Sequence, residues 1–124
     1  MTTGAAVREI ENQNTVLIVD DDTDLRESLG DVLRNQGYAV TLAANGKEAL
    51  ELLPGLRKPR GIVLDIAMPV MNGPQFYQAM RAVPELADTP VVILTCDPAM
   101  APKGVPKMTK LNPERMLSMV AALF

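Results

Sequence analysis

The chain has 124 residues, of which 48% are hydrophobic and 22% are charged, and its formal net charge is -3. This length is enough for one domain with its own buried core, and the weak negative charge gives no reason to expect a nucleic acid as partner. Histidine is absent and there is one cysteine, which excludes histidine-based catalysis, an intrachain disulfide and a zinc site built on the usual ligands. A cytoplasmic location is expected, because a chain that cannot form an intrachain disulfide suits a reducing compartment.

The N-terminal residues are polar and lack the apolar centre of a signal peptide. We therefore expect a flexible lead-in over residues 1–14 and a single domain over residues 15–124. No apolar run approaches the roughly 20 residues that a membrane-spanning helix needs, so membrane insertion is not expected.

The first part of the domain changes from a strand pattern to a helix pattern. Residues 16–19 are continuously apolar, which predicts a strand that is buried on both faces. A helical period starts near Asp24, with one of residues 22–24 as the N-terminal cap. Gly37 lies where a helix favours a residue in the left-handed conformation, so we expect the helix to end there.

The middle of the chain repeats this alternation. Residues 38–43 predict a second strand, and a short helix follows that Asn45 caps and Pro54 stops. Residues 61–65 predict a third strand that ends on an aspartate. The next helix ends near Val83, which its apolar period places on the inward side.

The last part of the domain departs from regular alternation. Residues 91–94 predict a fourth strand that ends at Thr95, and residues 105–110 predict a weak fifth strand. Between them, residues 96–104 contain two prolines and a glycine and are too short for a crossover helix with its loops, which takes about 10–12 residues. A final helix starts at the cap Asn112. The alternation indicates an α/β fold, a doubly wound parallel sheet whose fourth helix is lost or reduced to a loop.

Carboxylates end two of these strands. Asp20 and Asp21 follow the first strand and Asp65 ends the third, and the carboxyl ends of parallel strands meet at one edge of a sheet. Such a cluster would raise a pKa and cost stability unless a hard cation with oxygen ligands, above all Mg²⁺, neutralised it. A metal beside a carboxylate suggests phosphoryl transfer, with Asp65 as nucleophile, Thr95 as hydroxyl donor and a lysine near the fifth strand.

From about residue 15 to its end, the chain resembles the receiver domain of two-component response regulators. The resemblance lies in the stretches VLIVDDDTDLR, GIVLDIAMPVMNG, VVILTCD and, less closely, KMTKLNPERML. It implies a flavodoxin-like or CheY-like sheet of five parallel strands in the order 2-1-3-4-5.

The resemblance also implies a site and a set of partners. A histidine kinase or a histidine phosphotransfer protein would phosphorylate Asp65, in a two-component system or phosphorelay, and an unknown downstream protein would receive the signal. The switch hydroxyl would be Thr95. The implied ligands of Mg²⁺ are Asp20, Asp21, Asp65 and the backbone carbonyl of Ala67.

The chain departs from the family after the fourth strand. The family's lysine–proline pair is missing; Lys110 lies close to the family spacing with Leu111 in the place of proline, and Lys107 is the alternative lysine. The aromatic residue that usually precedes the lysine has no counterpart. We therefore expect the segment 96–110 to be mobile while Asp65 is free and to become ordered on phosphorylation, in place of that aromatic residue and of the fourth helix.

The sequence is also compatible with two other functions. A degenerate receiver would bind partners without being phosphorylated, which the altered lysine region favours. A phosphatase of the haloacid dehalogenase kind also uses a strand-end aspartate and magnesium, but it needs Asp-x-Asp, and Ala67 occupies the second position. A glycine-rich phosphate loop with its lysine is absent from the sequence. We therefore expect a signalling domain and not an enzyme in the ordinary sense.

Overall fold

The computed structural model of the protein describes residues 14–56 and 59–122, so most of the predicted lead-in lies outside the described residues. Asn14 is the exception. Its carbonyl accepts a hydrogen bond from Ala39 N at 3.2 Å, and its Nδ2 donates to Gly37 O at 3.0 Å. Asn14 is thus bonded to the folded domain.

The described residues build a five-stranded sheet in the order β2-β1-β3-β4-β5, with all strand pairs parallel. This order confirms the predicted doubly wound α/β fold. The three central strands are buried along their whole length because helices cover both of their faces. The strands are β1 Thr15–Val19, β2 Ala39–Ala43, β3 Gly61–Asp65, β4 Val91–Thr95 and β5 Lys107–Thr109.

Within the part of the chain that the structure describes, four α-helices pack on the two faces of the sheet. Alternate residues of β1 point to opposite faces: Leu17 and Val19 join one core cluster, and Val16 and Ile18 join the other. None of the helices within the described residues is long and apolar enough to cross a bilayer. The helices are α1 Thr23–Asn35, α2 Gly46–Leu56, α3 Gly73–Arg81 and α4 Pro113–Ala121.

The helix ends mostly follow the local sequence signals. Asp22 caps α1, with its side chain accepting from Leu25 N at 3.2 Å, and Gly37 adopts the expected left-handed conformation with φ +93°. Asn112 caps α4, and its Oδ1 accepts from Arg115 N at 3.1 Å. These caps depend on neighbouring residues alone, which explains why the sequence predicts them.

Two expectations about the helices are wrong. Pro54 does not stop α2, which continues to Leu56; the proline lies in the last turn, where it removes a single backbone donor. Val83 does not face inward but is exposed, because α3 ends at Arg81 and the chain leaves the helical path before Val83.

The connection between β4 and β5 contains a 3-10 turn, Pro98–Met100, in place of the helix. This confirms that the fourth helix is reduced to a loop. Gly104 adopts φ +79°, and Val105 and Ala101 pack against the core cluster that includes Val91 and Ile93. The loop therefore covers this part of the sheet with two small side chains where a helix would otherwise lie.

Candidate functional site

Three aspartates meet at the carboxyl edge of the sheet. Val19 is paired with Leu64 in the register of β1 and β3, so the residues that follow, Asp20 and Asp65, lie side by side. Both are almost completely buried, whereas Asp21 is exposed. Carboxylate oxygens of all three residues lie within 4.8 Å of one another.

One of the two candidate lysines lies among these carboxylates. The Nζ atom of Lys110 is 2.8 Å from Asp20 Oδ2 and 2.8 Å from Asp65 Oδ1. The backbone N–H of Lys110 donates to Thr95 O at 2.9 Å, which holds the residue at the end of β5. Lys107 lies at the start of β5, is exposed and lines a different groove, so it is not part of this cluster.

Asp20 is held by the backbone of the N-cap residue of α1 and by a residue that sequence reasoning missed. Its Oδ1 accepts from Asp22 N at 2.9 Å, and its carbonyl oxygen accepts from Arg26 Nη1 at 2.7 Å. Among the described residues, its buried Oδ2 faces the Lys110 ammonium but has no well-directed hydrogen bond. The sequence carried one signal for this contact, since Arg26 lies in the first turns of α1 and only six residues after the strand-end Asp20.

Burial and neighbouring charges shift the pKa values of Asp65 and Lys110. Desolvation, the nearby charge of Asp20 and a hydrogen bond with Asp21 raise the pKa of Asp65 to about 6, although Lys110 opposes the shift. Burial lowers the pKa of Lys110, but the attraction of the adjacent Asp20 and Asp65 carboxylates outweighs this effect, and the pKa lies above its ordinary value. Lys110 is therefore charged at neutral pH, and its positive charge partly compensates the negative charges of the two buried carboxylates.

The Thr95 hydroxyl lies at the end of β4 and is engaged by the next residues of the chain. Its Oγ1 donates to Asp97 O at 2.9 Å and accepts from Asp97 N at 2.9 Å. The Asp97 side chain in turn accepts from Ala99 N at 3.1 Å in the 3-10 turn. Sequence reasoning missed Asp97, although a threonine hydroxyl commonly bonds to the backbone two residues further along the chain.

The loop after β3 explains the spacing between Asp65 and Gly73. The backbone N–H of Gly73 donates to Ile66 O at 2.9 Å, and a Cβ atom at this position would collide with Asp65 O and lie 2.9 Å from Ile66 Cα. Asn72 and Gln75 form a capping box at this helix start, with distances of 2.9 and 3.0 Å. The loop thus needs glycine because α3 begins directly against the backbone of Asp65.

Asp65, Lys110 and Thr95 border a cleft of about 720 Å³ at the carboxyl edge of the sheet. A carboxylate nucleophile, an ammonium and additional carboxylates in one cleft suit phosphoryl chemistry. Ala67 is exposed on its wall, so no acid occupies the position that a haloacid dehalogenase phosphatase needs. The lining residues include Asp21, Asp65, Ala67, Thr95, Cys96, Asp97, Met100 and Lys110.

The sequence matches the response regulator receiver domain family over residues 16–106. Response regulator MprA of Mycolicibacterium vanbaalenii is 41% identical over 80 residues, which are 64% of this chain and 33% of that protein. An uncharacterised 14.6 kDa protein of Leptolyngbya boryana is 41% identical over 83 residues, which are 67% of this chain and 63% of that protein. The chain thus spans about a third of the first relative and slightly less than two thirds of the second.

Solved structures agree with the family match. Chemotaxis protein CheY4 of Vibrio cholerae has a TM-score of 0.76 at 31% identity, covering 90% of this chain and 99% of that chain. Response regulator TrrA of Thermotoga maritima, in complex with Mg²⁺ and BeF, has a TM-score of 0.72 at 26% identity with the same coverage. The family match, the sheet order and the carboxylate cleft agree, and the chain belongs to the response regulator receiver domain family.

Proposed function

We propose that the protein is a phosphoacceptor that receives a phosphoryl group on Asp65 from a phosphohistidine, with Mg²⁺ as cofactor. The phosphohistidine belongs to a histidine kinase or a histidine phosphotransfer protein of a two-component system or phosphorelay. The single observation that carries this proposal is the buried Asp65 carboxylate with the Lys110 ammonium 2.8 Å from its Oδ1. Membership of a signalling family supports it, since several of its relatives are response regulators.

The proposed chemistry assigns different parts to Asp65 and Lys110. The Asp65 carboxylate attacks phosphorus, the phosphorus–nitrogen bond of the donor breaks, and the imidazole nitrogen keeps the electron pair. Lys110 then neutralises an oxygen of the transferred group. Since this ammonium already lies against Asp65 before the reaction, little reorganisation is needed when charge develops.

The acidic residues fit a divalent cation. Three carboxylates within 4.8 Å of one another, and the Asp20 Oδ2 atom that lacks a well-directed hydrogen bond, are the kind of oxygen donors that Mg²⁺ takes. We propose that Asp20, Asp21 and Asp65 hold the cation together with the backbone carbonyl of Ala67. The bound cation would neutralise negative charge on the oxygens of the phosphoryl group.

Thr95 is proposed as the residue that reports phosphorylation. Its hydroxyl is hydrogen-bonded to the backbone of Asp97 while Asp65 is unmodified. When it donates to a phosphoryl oxygen instead, it must give up its hydrogen bond to Asp97 O. The segment that begins at Asp97 is therefore the first part of the chain to respond.

Intact mass spectrometry after incubation with acetyl phosphate and Mg²⁺ tests the proposed function. The wild-type protein should gain one phosphoryl group, and Asp65→Asn should gain none. Asp31→Asn is the matched control, because Asp31 is an exposed carboxylate on α1 whose partner is Arg34; it should label normally. An unlabelled wild type, with the fold intact, would identify a degenerate receiver, and full labelling of Asp65→Asn would place the acceptor elsewhere.

A further inference from the structure

Only two residues, Lys110 and Leu111, separate the end of β5 at Thr109 from the cap of α4 at Asn112. Lys110 turns its side chain into the acidic cleft, where 15% of it is exposed, whereas Leu111 is 75% exposed. Neighbours in a short connection thus have opposite surroundings. The direction of the Lys110 side chain has to be set within this short stretch.

The residue that follows Lys110 does not set this direction by its shape. A proline at position 111 would disfavour the helical region for Lys110, because the proline ring collides with the residue before it. Leucine has no such ring and leaves Lys110 more freedom. It does carry a backbone N–H that proline lacks, and this N–H is available for a contact that proline could not make.

The hydroxyl of Thr109 accepts this N–H. Thr109 Oγ1 is 3.1 Å from Leu111 N, in the local bond that threonine forms with the backbone two residues further along. On the other side, Lys110 N donates to Thr95 O at 2.9 Å, in continuation of the pairing of β4 with β5. The amide groups before and after the Lys110 Cα atom are therefore both hydrogen-bonded.

Two bonded peptide groups restrict the backbone between them. The φ and ψ angles of Lys110 are the two rotations that lie between these planar groups, and they determine the direction of its Cα–Cβ bond. Since the side chain of lysine is long and has many rotamers, a fixed starting direction limits where the ammonium can lie.

We propose that Thr109 is a positioning residue for phosphoryl transfer: its hydroxyl, through the Leu111 N–H, directs the Lys110 ammonium to the phosphoryl group on Asp65. This inference rests on the proposed function and extends it to a residue that touches no reacting atom. In the resting protein, Asp20 and Asp65 also hold the ammonium, at 2.8 Å each. During transfer, the Asp65 carboxylate bonds to phosphorus and its negative charge passes to the phosphoryl oxygens, so its own attraction for Lys110 weakens. The backbone bonds on either side of Lys110 do not change in this step.

Loss of the Thr109 hydroxyl should therefore affect the reaction more than the stability of the fold. Thr109 and Leu111 are both exposed, so water can replace the lost bond and no buried polar group is left unpaired. Water does not hold the peptide group in one orientation, however. The labelling rate should fall while the melting temperature stays close to that of the wild type.

Labelling by acetyl phosphate with Mg²⁺, followed by intact mass, tests the inference. Thr109→Val keeps the branched shape but lacks the hydroxyl, and it should label about fivefold more slowly than the wild type. Thr109→Ser retains the hydroxyl and should label as the wild type does. The matched control is Thr41→Val, which makes the same change on β2 at the opposite edge of the sheet and should label normally. Wild-type labelling of Thr109→Val, or equally slow labelling of Thr109→Ser, would overturn the inference.

A double variant separates positioning from a general structural effect. In Lys110→Ala the ammonium is absent, so the further change Thr109→Val should slow labelling by less than about twofold. A further fivefold loss in this background would also overturn the inference, because Thr109 would then act on something other than Lys110.

Hydrogen exchange supplies a readout that depends neither on labelling nor on the stability of Lys110→Ala. In Thr109→Val, the Leu111 amide should exchange about fivefold faster than in the wild type, whereas the Lys110 amide keeps its bond to Thr95 O and should exchange as before. Equal acceleration of both amides would show that β5 itself opens, and an unchanged Leu111 amide would show that the bond is absent in solution; either result overturns the inference. A wild type that fails to label would instead refute the proposed function on which the inference rests.

Discussion

The Lys110 ammonium lies 2.8 Å from Asp65 Oδ1 and at the same distance from Asp20 Oδ2. Its side chain is 15% exposed, and both carboxylates are more buried still. In the resting protein Lys110 is therefore a structural counterion for two strand-end acids, and the proposed chemistry uses the same charge. Stability and labelling measured on the same variants separate these two roles.

Removal of the Lys110 charge should affect both properties. Lys110→Ala leaves two buried carboxylates without a counterion, which should lower the free energy of unfolding by about 3 kcal/mol and slow labelling by acetyl phosphate about a hundredfold. Lys107→Ala removes an exposed lysine and should change stability by less than about 0.5 kcal/mol. Urea denaturation and intact mass provide the measurements. A Lys107 variant that is impaired as strongly as the Lys110 variant would contradict the placement of Lys110 in the site.

Asp65 should make stability depend on pH. Its pKa is raised from 3.8 to about 6 in the folded protein, so the folded state binds the proton more tightly than the unfolded state. The carboxylate therefore destabilises the fold above pH 6, by about 2–3 kcal/mol. The penalty decreases as the pH falls from 6 to 4, and it is absent below the unfolded pKa.

Asp65→Asn isolates this contribution because asparagine does not titrate. The gain in unfolding free energy of Asp65→Asn over the wild type should be larger at pH 7 than at pH 4.5, measured by urea denaturation at both values. Since Lys110 stays charged at both pH values, it does not produce this difference. A gain that is the same at the two pH values would show that Asp65 has an ordinary pKa.

Asp21 allows the proposed cation site to be tested without breaking the ion pairs of Lys110. In the absence of metal, Asp21→Asn should raise the free energy of unfolding slightly, by about 0.5 kcal/mol, because an exposed like charge is removed beside Asp65. Mg²⁺ should raise the melting temperature of the wild type, and the variant should need about tenfold more Mg²⁺ for the same increase. Asp24→Asn, on α1 beside the cleft, is the control and should respond as the wild type does. Identical magnesium responses in all three proteins would exclude Asp21 as a ligand.

Alanine should destabilise the fold at both Gly73 and Gly37, but for different physical reasons and to different degrees. At Gly73 the added Cβ would collide with Asp65 O, so Gly73→Ala should cost about 2–3 kcal/mol and slow labelling by moving Asp65. At Gly37 there is open space, but φ is +93°, so Gly37→Ala should cost about 1 kcal/mol and leave labelling unchanged. Thermal or urea unfolding of both variants, followed by labelling, decides between these outcomes. Equal effects on labelling would show that the close approach of α3 does not position Asp65.

Thr95 should control the start of the segment 96–110. Thr95→Ala removes both hydrogen bonds to Asp97, which should cost about 1–2 kcal/mol and speed hydrogen exchange of the Asp97 amide, while Thr95→Ser retains the hydroxyl and should differ little. Beryllofluoride with Mg²⁺ should likewise speed exchange of the Asp97 amide in the wild type, because Thr95 turns to the phosphoryl mimic and releases this amide, although the sequence alone favours slower exchange across residues 96–110. Exchange changes confined to other loops would contradict this response.

The sequence by itself determined the elements and the class of the fold. Continuous apolar runs such as residues 16–19, and caps such as Asn112, act through neighbours in the chain, so they can be recognised locally. The sequence also placed Asp20, Asp21 and Asp65 at strand ends, and parallel strands bring such ends to one edge. Their convergence was therefore predictable without knowledge of any side-chain position.

Only the tertiary structure decided which groups actually meet. Lys110 and Lys107 are three residues apart in one short stretch, and the pairing of β5 with β4 turns Lys110 toward Asp65 and leaves Lys107 outside. The approach of Gly73 to Asp65 and the positive φ of Val70 depend on how the loop after β3 packs against the rest of the domain. Such contacts arise between residues distant in the chain or from backbone angles that packing enforces, and a local pattern carries no information about either.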